Sequence, residues 1–135
     1  MIVRVKRHHL DYFKKKACSY KTEVFAFLLG LRISPNLLEV HRFKYPKLMD
    51  STAEGVWVSE EEYTLSEETA KDDGLLLLGG IHSHLDWTQE MSHQDYHNHR
   101  QNGEKVTGIV GIVGDKIFTS FWVIESSLPC KLEYL

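Results

Sequence analysis

The chain has 135 residues, 42% of them hydrophobic and 26% charged, which is the make-up of one globular domain and not of a disordered segment. Its net charge of −3 argues against a protein that wraps nucleic acid through phosphates. The longest apolar runs, Val24–Leu29 and Leu75–Leu78, fall far short of the ~20 residues of a membrane span.

The first nine residues hold no apolar signal core, and Cys18 and Cys130 alone make no disulfide framework. A single-domain cytoplasmic protein is expected, with no nucleic-acid partner and no membrane partner. One count is out of line: of eight histidines, five lie between residues 82 and 99.

Taken in order, residues 2–6 read as a short strand through Ile2, Val3 and Val5. Residues 8–19 read as a helix, because Leu10, Phe13 and Ala17 recur at i, i+3 and i+7, with Lys14 to Lys16 on a solvated face. Residues 23–33 are almost wholly apolar, rich in β-branched and aromatic types and followed by Pro35, which predicts a buried strand. Residues 37–45 alternate through Leu38, Val40, Arg42, Phe43 and Tyr45 and read as its hairpin partner, with a further short strand at 55–58.

A helix is predicted over 60–72. Ser59 with Glu62 supplies one start signal, and Ser66 with the run that follows it supplies a second that would allow a break. Residues 75–81 read as a second buried strand, and 92–101 as a helix stopped by Asn102-Gly103. Residues 106–113 and 117–124 read as two strands joined by a tight turn at Gly114-Asp115. The fold class is α+β, a central, mostly antiparallel sheet with helices packed on it, in one domain over 1–135.

The chemistry is concentrated between residues 80 and 95. His82 and His84 follow a buried apolar run, and residues i and i+2 of an extended chain point to the same side, so two imidazoles can grip one metal. Ser92 and Asp95 bracket the first turn of a predicted helix, where Asp95 can offer a carboxylate. Each piece alone is a weak signal. Together, as His82-Ser83-His84, seven residues, then Ser92-His93-Gln94-Asp95, they resemble the signature of the JAMM (MPN+) metallopeptidases. The family's upstream Glu, at the head of a buried strand, is matched by Glu23 in Glu23-Val-Phe-Ala-Phe-Leu-Leu-Gly30. A glutamate heading an apolar strand is odd for a core position and calls for a partner.

The resemblance, which runs from about residue 8 to 124, implies the JAMM/MPN fold, related to that of cytidine deaminases. It implies one zinc ion per chain held by His82, His84 and Asp95, Glu23 as general base, and Ser92 as a donor to the oxyanion. Glu90, inside the motif loop, is the alternative base. The implied substrate is a protein or peptide cut at a peptide or isopeptide bond, after the tail of a ubiquitin-like modifier. A phage-tail-type cell-wall peptidase and a non-catalytic MPN scaffold are the other readings. Leu85 stands where the family commonly has Pro, and Phe25-Ala26 where it has Cys-Gly.

Other features have plainer explanations. His93 and His97 are spaced for zinc but lack the glutamate of the zincin pattern, and His97, His99 and Arg100 read as exposed helix residues or as groove lining. Gly108, Gly111 and Gly114 lack a following Gly-Lys-Ser/Thr and fit close sheet packing or a turn. Pro129-Cys130 lacks the second cysteine of a deaminase motif. Trp87 is the candidate for substrate contact, Trp122 reads as core, and Trp57 lies away from the motif.

Overall fold

The computed structural model describes residues 1–47, 49–51, 56–85 and 105–135. In chain order the elements are β1 (Ile2–Val5), α1 (Arg7–Ser19), β2 (Phe25–Ser34), β3 (Leu37–Lys44), β4 (Met49–Ser51), β5 (Val56–Val58), α2 (Glu60–Asp72), β6 (Leu76–Leu85), β7 (Val106–Val113), β8 (Lys116–Val123) and β9 (Lys131–Tyr134). Seven strands form one sheet in the order β8-β7-β6-β2-β3-β1-β9, and β4 with β5 makes a separate hairpin. Among the described residues no helix is long and apolar enough to cross a membrane.

The α+β architecture is the one the sequence predicts, but its pairing is more parallel than the hairpins imply. The pairs β2/β3, β2/β6 and β7/β8 are antiparallel, whereas β1/β3, β1/β9 and β6/β7 are parallel. The antiparallel hairpins announce themselves by local turns, such as Gly114 at φ +62 between β7 and β8. The parallel seams join segments far apart in sequence and leave no local signal. β9, which the periodicity does not reveal, is one of these. The chain leaving β8 first folds back on it, with the Cys130 N–H donating to the Phe121 carbonyl at 2.7 Å, and then runs alongside β1.

Alternation along β2 explains its nearly continuous apolar run. Val24, Ala26 and Leu28 face a core closed by Leu10, Phe13 and Ala17 of α1, with Val3, Val5, Val40, Ile81, Val110 and Phe121. Phe25, Phe27 and Leu29 face the other way, against Ala70 and Tyr63 of α2 and Val56 and Val58 of β5. A strand buried on both faces has no polar face to show.

Helix α2 begins where the sequence places it, the Glu62 N–H donating to Ser59 Oγ at 3.3 Å, and it is unbroken. Ser66 is buried against the sheet, where its hydroxyl accepts from Lys44 Nζ at 3.2 Å, so it does not cap a second helix.

The seams around β6 are tight. A methyl group on Gly79 would stand 1.8 Å from the Val106 carbonyl oxygen, and one on Gly80 would stand 2.5 Å from the Phe25 ring. A Gly79→Ala change is therefore expected to cost about 2–4 kcal/mol through forced separation of β6 and β7. Gly114→Ala, whose methyl would meet nothing within 4 Å and suffers only from φ +62, is expected to cost about 1 kcal/mol. Urea unfolding midpoints measured at unchanged slope separate the two, and equal losses would deny the tight seam.

Candidate metal centre

Strand β6 runs to Leu85, four residues past the predicted end at Ile81, so both histidines lie within the ladder. His82 is in register with Phe25 of β2 and Ile109 of β7, and His84 with Gly111 of β7. Both side chains therefore leave the same face of the sheet, the face covered by α2. Their rings are 4.7 Å apart between centroids, and His82 Nε2 lies 2.9 Å from His84 Nε2. Both residues are buried, at 2% and 0% exposure.

Ser83, between them, points to the opposite face. Its hydroxyl accepts from the Val24 N–H at 2.8 Å, and its own N–H donates to the Val24 carbonyl at 3.0 Å. These bonds carry the β2/β6 pairing one residue beyond Phe25 and His82. By the same alternation Glu23 falls on the face of His82 and His84, one row further along. Glu23 is 2% exposed, and its carbonyl accepts from Ser51 Oγ of β4.

The histidine pair fits a metal ion. Two nitrogens bound to one tetrahedral zinc stand ~3.3 Å apart, given Zn–N bonds of about 2.0–2.1 Å. The present 2.9 Å is the length of an N–H···N hydrogen bond, so one ring shares its proton with the other. A divalent cation would take the place of that proton with a small opening of the rings.

The remaining expected ligand, Asp95, lies outside the described residues, as do Ser92, Glu90, Trp87, His93, His97, His99 and Arg100. Among the described residues no group of three His, Cys, Asp or Glu side chains is placed to hold a metal. The structure thus brings Glu23, His82 and His84 to one face and does not place the third ligand.

A methyl group on Gly108 would stand 2.7 Å from the Phe121 ring, which is the close packing expected of it. Trp122 is half-buried rather than core, and its Nε1 donates to Ser120 Oγ at 2.8 Å. Trp57 stands half-exposed on β5. Burial pushes the Cys130 thiol up to about 11, so it stays protonated and is a poor ligand at neutral pH. Sequence reasoning gave no role to Ser51. Among the described residues its link to the candidate site is a bond to a residue 28 positions away, which no local pattern encodes.

Two solved structures are similar to the chain along its whole length. The solution structure of protein DSY2949 from Desulfitobacterium hafniense superposes with a TM-score of 0.74 at 17% identity, covering 100% of this chain and 93% of its own. The crystal structure of AF2198, a JAB1/MPN domain protein from Archaeoglobus fulgidus, superposes with a TM-score of 0.65 at 17% identity, covering 98% of each chain. The fold is therefore MPN-like. No family model matches the sequence, and no curated protein matches it.

Replacing Ser83 by Ala would leave the Val24 N–H, on a residue 3% exposed, without its acceptor. The expected cost is about 1–3 kcal/mol, the penalty for an unsatisfied buried donor. Denaturant unfolding of Ser83→Ala beside the wild type checks it, and an unchanged midpoint would mean that the hydroxyl does not hold β2.

Proposed function

We propose that the chain is a JAMM-type zinc metallopeptidase that hydrolyses a peptide or isopeptide bond after the C-terminal tail of a ubiquitin-like protein. The observation that carries this reading is the convergence of two buried Nε2 atoms, 2.9 Å apart, on the sheet face that also receives the buried Glu23. His82 Nε2, His84 Nε2 and the Asp95 carboxylate would hold the metal, a ligand set that leaves a fourth position open. Zinc supplies Lewis acidity there, polarising a carbonyl and bringing the pKa of a water to about 7.

The chain's own residues do the rest. The Glu23 carboxylate takes the proton of the attacking water and delivers it to the leaving amine nitrogen. The Ser92 hydroxyl donates to the oxyanion that forms on the carbonyl carbon. Glu23 is buried, which makes the interactions of its carboxylate stronger than they would be in water. A substrate lying beside the metal needs small residues next to the scissile bond, which a Gly-Gly tail provides.

About one zinc per chain is expected, by metal analysis of protein purified without a polyhistidine tag. Asp95→Ala should lose most of it, and stoichiometric zinc retained by a His82→Ala, His84→Ala double variant would overturn the site.

Glu23→Gln keeps the shape of the side chain and removes its ability to carry a proton. It is expected to retain zinc and to lose activity by about 10²–10⁴-fold. The assay is cleavage of a panel of Gly-Gly-tailed modifier fusions beside muropeptides. Near-normal turnover by Glu23→Gln would move the base to another carboxylate, Glu90 first. Cleavage of muropeptides alone would make the enzyme a cell-wall peptidase.

A further inference from the structure

We infer that Ser51 and Ser83 are positioning residues that aim the Glu23 carboxylate at the histidine pair by clamping the peptide unit between Glu23 and Val24. The inference rests on the reading of Glu23 as general base and deepens it.

That peptide is held at both ends by side-chain hydroxyls. Its carbonyl accepts from Ser51 Oγ, and its N–H donates to Ser83 Oγ at 2.8 Å. A peptide unit is planar, so fixing its carbonyl and its N–H fixes the whole plane. Both Cα atoms of that unit, those of Glu23 and Val24, lie in the plane and are fixed with it. Cα of Glu23, and with it the root of the carboxylate, is set by two serines.

The two serines come from different places. Ser83 lies between His82 and His84, and its backbone N–H also binds the Val24 carbonyl at 3.0 Å. It therefore ties the peptide that carries the base to the strand that carries the imidazoles, and it does so within one residue of each. In a regular antiparallel ladder the Val24 N–H would go to a backbone carbonyl. Here it goes to a side chain, so a single substitution can release it.

Ser51 comes from the β4/β5 hairpin, outside the main sheet. That hairpin is already seated through Val56 and Val58 against the aromatic cluster of Phe25 and Phe27. The hairpin thus has an anchor independent of the Glu23 carbonyl, against which the bond from Ser51 can hold Glu23.

The test uses the full zinc-loaded chain with Ser51→Ala and Ser51→Thr, each made in the wild-type and the Glu23→Gln backgrounds. Zinc content, kcat and KM on a Gly-Gly fusion, and hydrogen exchange of the Val24 amide are measured. Ser51→Ala is expected to lower kcat about 10-fold, since misplacing a reacting group by ~1 Å costs up to about 10²-fold, while KM and zinc content hold. Ser51→Thr keeps the hydroxyl and should recover activity to within about 3-fold of wild type.

In the Glu23→Gln background Ser51→Ala should cost nothing more, because residues that act as one unit are not additive. Val24 amide exchange should accelerate about 10-fold in Ser51→Ala as its peptide loosens. The same fold loss in both backgrounds, or unchanged Val24 exchange, would overturn the clamp. A wild-type chain that cleaves no substrate would count against the proposed reaction instead, and the Val24 exchange would still decide the clamp.

Discussion

Strand β6 is buried on both faces and yet carries His-Ser-His near its end, and the surroundings of the candidate site follow from that conflict. Burying polar groups is costly unless each is hydrogen-bonded. Alternation sends the two imidazoles to one face and the Ser83 hydroxyl to the other. The imidazoles meet each other at 2.9 Å, and Ser83 takes the Val24 N–H at 2.8 Å. The second solution requires β2 as the neighbour, in that register and no other, because a slip of one residue would turn every side chain over. Satisfying one buried serine thus brings the glutamate strand to the histidine strand.

The rest of the molecule protects this register. Gly79 and Gly80 let β7 and the Phe25 ring come within distances that any side chain would deny. Helix α1 closes one face with Leu10, Phe13 and Ala17. Helix α2 closes the other with a more polar stripe, Glu62, Ser66 and Ala70, of which Ser66 is bound by Lys44. The polar helix and the histidines share a face, so the more polar of the two sheet faces is also the one that carries the candidate site.

Much of this was legible in the sequence. Leu10, Phe13 and Ala17 announce α1 by spacing, Leu38 and Val40 announce β3 by alternation, and Gly114-Asp115 marks the turn between β7 and β8. What failed had non-local causes. The sequence reading ends β6 at Ile81, but pairing with β2 as far as His82 and with β7 as far as Leu85 extends it. Ser66 reads as a cap and is a buried acceptor for Lys44, which comes from β3. β9 is only Lys131–Tyr134, and its partner β1 stands at the opposite end of the chain. Glu23, His82 and His84 stand out in the sequence because their chemistry is unusual for their positions, and the fold brings the three to one face. Ser51 does not stand out, because a serine in a short strand is ordinary until the fold sets it against a carbonyl. The expected helix at 92–101, with Ser92 and Asp95, lies outside the described residues.

The positions that depart from the JAMM pattern pack around the histidine strand. Phe25, where the family has Cys, is in register with His82 and sits over Gly80. Its ring meets Phe27 edge-on at 5.0 Å, and Phe27 meets Tyr63 of α2 at 4.9 Å. The larger residue therefore fills space that a glycine vacates, and it ties the apolar flank of His82 to α2. Ala26, on the other face, is fully buried toward α1. Leu85 stands where the family has Pro and pairs with Ile112. A proline has no N–H to give a ladder and is confined to strand ends and edges. With leucine there, β6 continues one residue past His84, so His84 is anchored on both sides rather than left at a frayed end. Each departure changes how the histidines are supported and leaves their convergence intact.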